Sequence, residues 1–483
     1  MTKTAIKIHE NDNVAVALVD IKQGEEVLGV KAQNSIPFGH KIALNNITEN
    51  VIKYGEPIGH VTVEIKAGEH VHTHNLKTNL AGLEEYSYNP IEKAPPLSES
   101  EMETPTFMGY NRPDGQVGIR NEVWIINTNG CVNKTAELLV EMCKHRVYTF
   151  VHPHGCSQLG NDHKHTQRIL AGMVHHPNAA GVLVLGLGCE NNHINEFKKV
   201  LGDWDDRRVR FLNTQDCGDE LAEGLKIIDE LVEYAATFKR EPIPISKLIF
   251  GLKCGGSDGL SGITANPLVG SFSDMVISHG GTCILTEVPE MFGAETLLMN
   301  RCTEKSVFDK TVTLINDFKE YFIRYGQEIY ENPSPGNKDG GISTLEDKSL
   351  GCTQKGGTSQ VVDVLKYGER VKIPGLVLLQ GPGNDIVAVT NLMAAGAHLI
   401  LFTTGRGTPM GAPVPTVKIS SNTALSQAKP HWIDFNAEGA ITDMQGLTNE
   451  FLSYLITVAS GQETNNEKYG YREIAIFKDG VTL

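Results

Sequence analysis

The 483-residue chain lacks several signatures that would classify it at once. It contains no Cys-x-x-Cys pair, so neither a zinc ribbon nor a thioredoxin-type motif is expected. No P-loop word occurs. The Gly-x-Gly turns at Gly186, Gly381 and Gly405 lack the third glycine of a dinucleotide fingerprint, because Asn191, Ile386 and Met410 stand there. Nicotinamide chemistry is therefore disfavoured. No run of about 18 apolar residues suggests a membrane span, and Met1–Glu10 has no signal-peptide core. No period of roughly 20–50 residues marks a repeat protein. Basic residues are in deficit: 43 Lys and Arg against 58 Asp and Glu give a formal charge of −15. That balance argues against general affinity for nucleic acid or an anionic membrane. A small anionic substrate needs only a local basic patch and remains compatible. The 9 cysteines, an odd number in a large chain with no export signal, read as thiols rather than disulfides. Cytoplasm is the expected compartment.

At this length two or three domains are expected. Residues 1–82 alternate in short runs such as Val14–Leu18, His40–Leu44 and His60–Ile65, broken by Gly and Asn, which predicts a small all-β module. Residues 83–108, dense in Pro, Ser and Glu, read as a linker. Beyond them apolar runs alternate with helical patterns, clearest at 219–238 and 302–326. This predicts two α/β portions, 109–243 and 244–483, divided near Lys239–Pro244. Apolar runs end in loops of Gly, Cys, Asn, His or acidic residues at Cys131, Cys156, Glu190, Cys254, Glu287 and Gly407. Buried parallel strands read as unbroken apolar runs, and open α/β sheets carry their chemistry beyond the carboxyl ends of such strands. The expectation is an α/β enzyme with Rossmann-like parallel strands, one polar site and an N-terminal β module.

Several residues are candidates for that site. If 70–74 is extended, His70, His72 and His74 share a face and suit iron, manganese or zinc; a polar strand end is the plainer alternative. Cys131, Cys156, Cys189 and Cys254 each follow a predicted strand in a Gly-rich turn, and Cys217 and Cys352 occupy similar places. Such thiolates could hold iron as one ion or as an iron–sulfur cluster with an open position, or they could simply pack. Cys143, Cys283 and Cys302 fall inside predicted elements and fit packing. Gly255–Gly259 matches the Gly-x-Ser-x-Gly nucleophile elbow, but Leu260–Pro267 is a poor helix opening. It reads better as a binding loop carrying Ser257 and Asp258. Arg406, between two glycines, is suited to grip a carboxylate, or else pairs a buried Asp. Lys338 and Lys355 are weaker candidates for the same task. Glu190, Glu287 and Glu290 sit at or past strand ends as bases, metal ligands or ion-pair partners.

Long words run in order along nearly the whole chain: Gly39–Lys41, Val71–Asn75, Gly155–Gly160, Gly186–Asn192, Cys254–Gly262, Thr264–Pro267, Asn332–Lys338 and Thr403–Pro409. Together they resemble the altronate/galactarate dehydratase family. The resemblance implies an N-terminal SAF-type β-clip module, a large catalytic region, and an iron- or manganese-dependent hydro-lyase acting on sugar acids. The histidine word is similar to the altronate branch, which implies dehydration of D-altronate to 2-dehydro-3-deoxy-D-gluconate in galacturonate breakdown. Galactarate or another sugar acid is the alternative substrate. Sulfolactate sulfo-lyases share the architecture split over two chains. In that chemistry a base removes the C2 proton, a role open to Glu287, Glu290 or His72. Arg406 would fix the carboxylate, with Lys338, Ser257 and Asp258 beside it. Positioned acid–base groups give roughly 10²–10⁴-fold, and a metal Lewis acid would stabilise the remaining enolate-like charge. Fe²⁺, with Mn²⁺ as an option, would sit on His70, His72 and His74, on the loop thiols, or across the seam between them. A homo-oligomer is left open.

Overall fold

The computed structural model describes residues 3–91 and 104–483, so much of the expected linker (92–103) lies outside the described residues. The N-terminal stretch is all-β, as its alternation predicts. Strands Ala5–Ile6, Val14–Ala17, Lys41–Ala43 and His70–Val71 pair antiparallel in that order. A second sheet joins Asn50–Lys53, Glu56–Val61 and Leu76–Lys77. A module this small cannot bury much apolar surface alone. Its core of Val14, Ala43, Val51, Ile58, Ile65 and Val71 is completed by Ala294 and Leu350 from the large region.

Two parallel sheets organise the rest. The smaller places Val147–Thr149, Glu122–Asn127, Ala179–Gly186 and Val209–Asn213 side by side. The larger runs Val361–Leu365, Leu376–Leu379, Thr282–Leu285, Ile249–Cys254, Leu399–Thr404, Thr416–Ser420 and Phe435–Asn436, every pair parallel. Ala179–Gly186 and Leu399–Thr404 are buried at every residue, which is why they read as unbroken apolar runs. The two helical patterns are Glu220–Ala236, whose N-cap Asp219 accepts from the Ala222 amide, and Lys305–Arg324. Thr106–Asn111 pairs antiparallel with Glu241–Pro244, so the segment near 240 is a strand closing the middle region.

Both sheets open on the same side. Helix Gly160–Val174 lies along helix Asp385–Ala394, with Gly172 so close that a Cβ there would meet the Ala394 carbonyl oxygen at 2.6 Å. The starts of both helices border one cleft, lined by Asn161, His165, Gln380, Gly381 and Pro382 among others. The helices therefore run parallel, and the strands feeding them point their carboxyl ends the same way. In the larger sheet the chain passes from Ile249–Cys254 to strands on one side, then returns to Leu399–Thr404 and winds to the other. The strand order reverses between Cys254 and Thr404, and a ligand crevice forms at such a switch point.

Candidate functional site

The switch-point crevice is built from backbone. The amides of Gly405 and Arg406 both donate to the Gly256 carbonyl at 3.0 Å, tying the two strand-end loops together. Asp258 braces them. Its buried carboxylate accepts from the Leu260 and Ser261 amides (3.2 and 2.8 Å), the Ser261 and Ser421 hydroxyls (2.9 Å each) and the Asn422 amide group (3.1 Å). Ser257 is buried, and its carbonyl accepts from the Asn337 side chain at 2.8 Å. The following helix starts only at Ala265, with Pro267 in its first turn where an amide is not needed. The Gly-x-Ser-x-Gly stretch is thus a loop, not a strand-to-helix elbow. Arg406 donates from Nη1 to the Gly336 carbonyl at 3.1 Å, and half-buried Lys338 lies on the short helix Pro335–Asp339.

The β module is clamped onto this crevice. Gly39, Gly259 and Gly341 cross backbone to backbone: a Cβ on Gly259 would lie 1.9 Å from the Gly39 carbonyl oxygen, and one on Gly341 2.2 Å from it. Only glycine fits there. Beside this crossing Lys41 and Lys53 each reach Asp347 at 2.8 Å, with all three side chains buried. Burial, opposed by Asp347 and aided by Lys53, pushes the Lys41 ammonium down to about 8.

Four imidazoles gather above the clamp. The chain is extended only through His70–Val71 and then turns, because the Asn75 side chain accepts from the His72 amide (3.0 Å) and donates to the His70 carbonyl (2.9 Å). The expected extended run over 70–74 is thereby corrected. The turn still brings the rings together, His70 and His72 stacking at 5.6 Å and His70 and His74 lying 5.4 Å apart. His40, from a neighbouring strand end, joins them with Nδ1 3.0 Å from His70 Nε2. Its Nε2 faces the Asp339 carbonyl at 3.2 Å, and His72 Nδ1 faces the Ser343 hydroxyl at 2.8 Å. Burial lowers His40, and it brings His70 to about 4 and His72 to about 3, helped by neighbouring imidazoles and Lys41. His70 and His72 are therefore neutral at pH 7, each with one ring nitrogen engaged, whereas His40 uses both of its nitrogens, one toward His70 and one toward the Asp339 carbonyl. One segment, Gly336–Ser343, therefore touches both Arg406 and the imidazoles.

Beneath the larger sheet's carboxyl edge lies a buried charge network. Glu287, in left-handed backbone at φ 70°, contacts Lys253 and accepts from the Cys254 amide at 3.0 Å. Lys253 also reaches Asp385 at 2.9 Å, and Lys355 stands 3.9 Å from Glu287. Glu290 pairs with Lys348 at 2.8 Å and accepts from the Cys254 thiol at 2.9 Å. Burial opposes its charge, but Lys348, Lys253 and Lys355 hold the Glu290 carboxyl well below its usual range. Cys352 lies 3.4 Å from Cys254. It was expected in a strand-end loop, yet it closes helix Leu345–Cys352, which the loop-like glycine at 351 disguised. Cys254, Glu290 and Cys352 offer ligand atoms within 4.8 Å of one another and so form a candidate metal set. The three ammonium groups around it already supply positive charge.

The remaining candidate thiols lie elsewhere, at the carboxyl ends of three adjacent strands of the smaller sheet: Cys131, Cys156 and Cys189. The seven metal candidates thus fall into three places: imidazole cluster, buried network and thiol loops. Spacing in the sequence did not mark His40, Lys41, Lys53, Asp347, Lys253 or Lys348. His40 and Lys41 stood in one of the family-like words, but nothing local linked them to residues some 30 and 300 positions away.

Comparison with known proteins agrees with this architecture. Residues 3–79 match the altronate/galactarate dehydratase SAF domain, and 109–236 the second domain of D-galactarate dehydratase/altronate hydrolase. Residues 245–482 match the D-galactarate/altronate dehydratase C-terminal domain. The chain belongs to the altronate/galactarate dehydratase family, enzymes of the lyase class. It is similar to altronate dehydratase of Bacillus subtilis (strain 168), 54% identical over 100% of both chains. Altronate dehydratase of Escherichia coli (strain K12) is 53% identical over 99% of both. Galactarate dehydratase (L-threo-forming) of Escherichia coli (strain K12) is 30% identical, over 98% of this chain and 96% of its own.

Proposed function

We propose that this chain is a hydro-lyase converting D-altronate to 2-dehydro-3-deoxy-D-gluconate. The observation that carries the reading is graded similarity: two altronate dehydratases match end to end far more closely than a galactarate dehydratase does. The crevice geometry is consistent with it. Arg406 presents a guanidinium fork to the substrate carboxylate, Lys338 adds positive charge on the adjoining helix, and the Gly255–Asp258 loop supplies the floor. The proton at C2 passes to a base, Glu287 or Glu290, or His72 where that ring is not a metal ligand, and the C3 hydroxyl takes up a proton and leaves as water.

For the divalent ion we favour the imidazole cluster of His40, His70, His72 and His74, whose rings would have to close further around it. The Cys254–Glu290–Cys352 set closes within 4.8 Å but already has an ammonium group at its carboxylate. Fe²⁺, with Mn²⁺ second, suits imidazole donors. Bound there it supplies Lewis-acid stabilisation of oxygen charge. With all nine cysteines free, a reducing cytoplasm is the setting we assign. Among the described residues no helix is long and apolar enough to cross a membrane.

The test is an anaerobic keto-acid assay over altronate, galactarate, mannonate and sulfolactate, before and after metal removal. Keto acid should form from altronate and fall on chelation. Faster turnover of galactarate rejects the substrate, and undiminished turnover after chelation rejects the metal. Solvent-deuterium exchange at C2 then separates the bases: His72→Gln, Glu287→Gln or Glu290→Gln, whichever abolishes exchange while altronate still binds, names the residue.

A further inference from the structure

From the convergence of Cys131, Cys156 and Cys189 we infer a second metal site, distinct from the imidazole cluster, that takes an iron–sulfur cluster through three thiolates. Each cysteine follows a glycine, in Gly130-Cys131, Gly155-Cys156 and Gly188-Cys189. Each lies just past one of three neighbouring parallel strands: Glu122–Asn127 in the middle, Val147–Thr149 and Ala179–Gly186 on its flanks. Cys131 and Cys189 are exposed and Cys156 is half-buried, which is unlike thiols that merely pack.

The loops are locked to one another before any ligand arrives. Gly155, at φ +94°, lies so near the Thr128 carbonyl that a Cβ would stand 2.0 Å from its oxygen. The Gly130 amide donates to the His154 carbonyl at 2.9 Å, and the Asn192 amide to the Gly155 carbonyl at 3.0 Å. Glu190 holds the assembly from beneath. Its carboxylate accepts from the Thr128 hydroxyl (2.6 Å), the Asn129 side chain (2.8 Å) and the Gly188 amide (2.6 Å). That occupancy makes Glu190 a positioning residue. The Asn191 side chain accepts from the Ser157 amide at 2.7 Å, with Ser157 itself in left-handed backbone at φ 57°. Gln215 donates to the Cys189 sulfur at 3.5 Å, the hydrogen bond a thiolate would accept.

The spacing favours a polynuclear ligand over one ion. Around a single tetrahedral ion, thiolates at about 2.3 Å from the metal lie roughly 3.8 Å apart. Among the described residues, the one trio of ligand atoms that closes within 4.8 Å is the Cys254 set, so at least one side of the Cys131–Cys156–Cys189 triangle is longer than that. A cluster fits a wider triangle because each thiolate binds a different iron. Three protein thiolates would leave a fourth iron of a [4Fe–4S] cluster without a cysteine ligand.

This inference is independent of the substrate and of the imidazole-bound ion. The full-length protein would be reconstituted anaerobically with ferrous iron and sulfide under a thiol reductant, then desalted. Iron, acid-labile sulfide and thiolate-to-iron absorption would be read on the desalted chain. About four iron and four sulfide per chain are expected. Cys131→Ser, Cys156→Ser and Cys189→Ser should each lose most of both while keeping the wild-type circular dichroism. Cys254→Ser and His70→Ala should retain the labile sulfide. Wild-type protein without labile sulfide, or with one zinc ion in its place, overturns the assignment. So does full sulfide retention in the variant lacking all three thiols.

Discussion

Replacing Asp347 with alanine removes the carboxylate that two ammonium groups share across the module seam. Lys41 and Lys53 each lie 2.8 Å from it, with side chains at most 2% exposed. Lys41 would keep the Gly341 carbonyl at 2.7 Å, but among the described residues no counter-charge would remain in contact with either lysine. Breaking one buried pair by deleting a partner costs about 3–5 kcal/mol, and here one deletion strands two charges. Chemical denaturation followed by fluorescence should therefore show a loss at or above that range, roughly 10²–10⁴-fold in the folding equilibrium. Replacing all three together (Asp347→Leu, Lys41→Met, Lys53→Met) should recover most of the loss, because exchanging a whole buried ionic set for apolar groups is often neutral or better. The same cluster sets a pH dependence. Burial holds Lys41 near 8, against a usual 10.5, so between those values the unfolded chain keeps a proton the folded chain has released. Stability must then rise with pH across that window, by up to about 3 kcal/mol from this one group. Lys418, held near 8 by burial, adds the same sign, so the decisive quantity is wild type minus Lys41→Met. A cost below about 1 kcal/mol for Asp347→Ala would refute the reasoning.

Further outcomes follow from the same geometry. Arg406→Ala should raise KM for the sugar acid about 10–100-fold, the loss of a charged hydrogen bond worth about 1.5–3 kcal/mol. Arg406→Lys should recover little of it, since an ammonium lacks the planar fork; an unchanged KM would remove Arg406 from carboxylate binding. His40→Ala should weaken divalent-ion binding, measured by calorimetry, as much as His70→Ala does, because their nitrogens lie 3.0 Å apart. Gly155→Ala, with its Cβ driven to 2.0 Å from the Thr128 oxygen at φ +94°, should cost about 1–3 kcal/mol of stability and displace the Cys156 loop. Wild-type stability in that variant would mean the loops are not interlocked.

Some of this molecule is written locally. Buried parallel strands must be apolar on both faces, so Ala179–Gly186 and Leu399–Thr404 announce themselves as continuous runs, and the glycines after them mark where loops turn. The helices at Glu220–Ala236 and Lys305–Arg324 likewise follow from periodicity alone. Close spacing also marked His70, His72 and His74, though Asn75 bends that segment instead of extending it. Strand adjacency is not local information. Which strand ends neighbour one another depends on how the sheet is wound, so a row of similar cysteines divided into Cys131, Cys156 and Cys189 in one sheet and Cys254 in the other. For the same reason His40 met His70 across 30 residues, Cys352 met Cys254 across 98, and Lys41 met Asp347 across 306. A lone lysine in a sequence reads as solvated surface. Only packing, which removes the water and supplies a carboxylate from a distant segment, turned Lys41, Lys53 and Lys253 into the buried charges on which the module seam and the sheet edge are built.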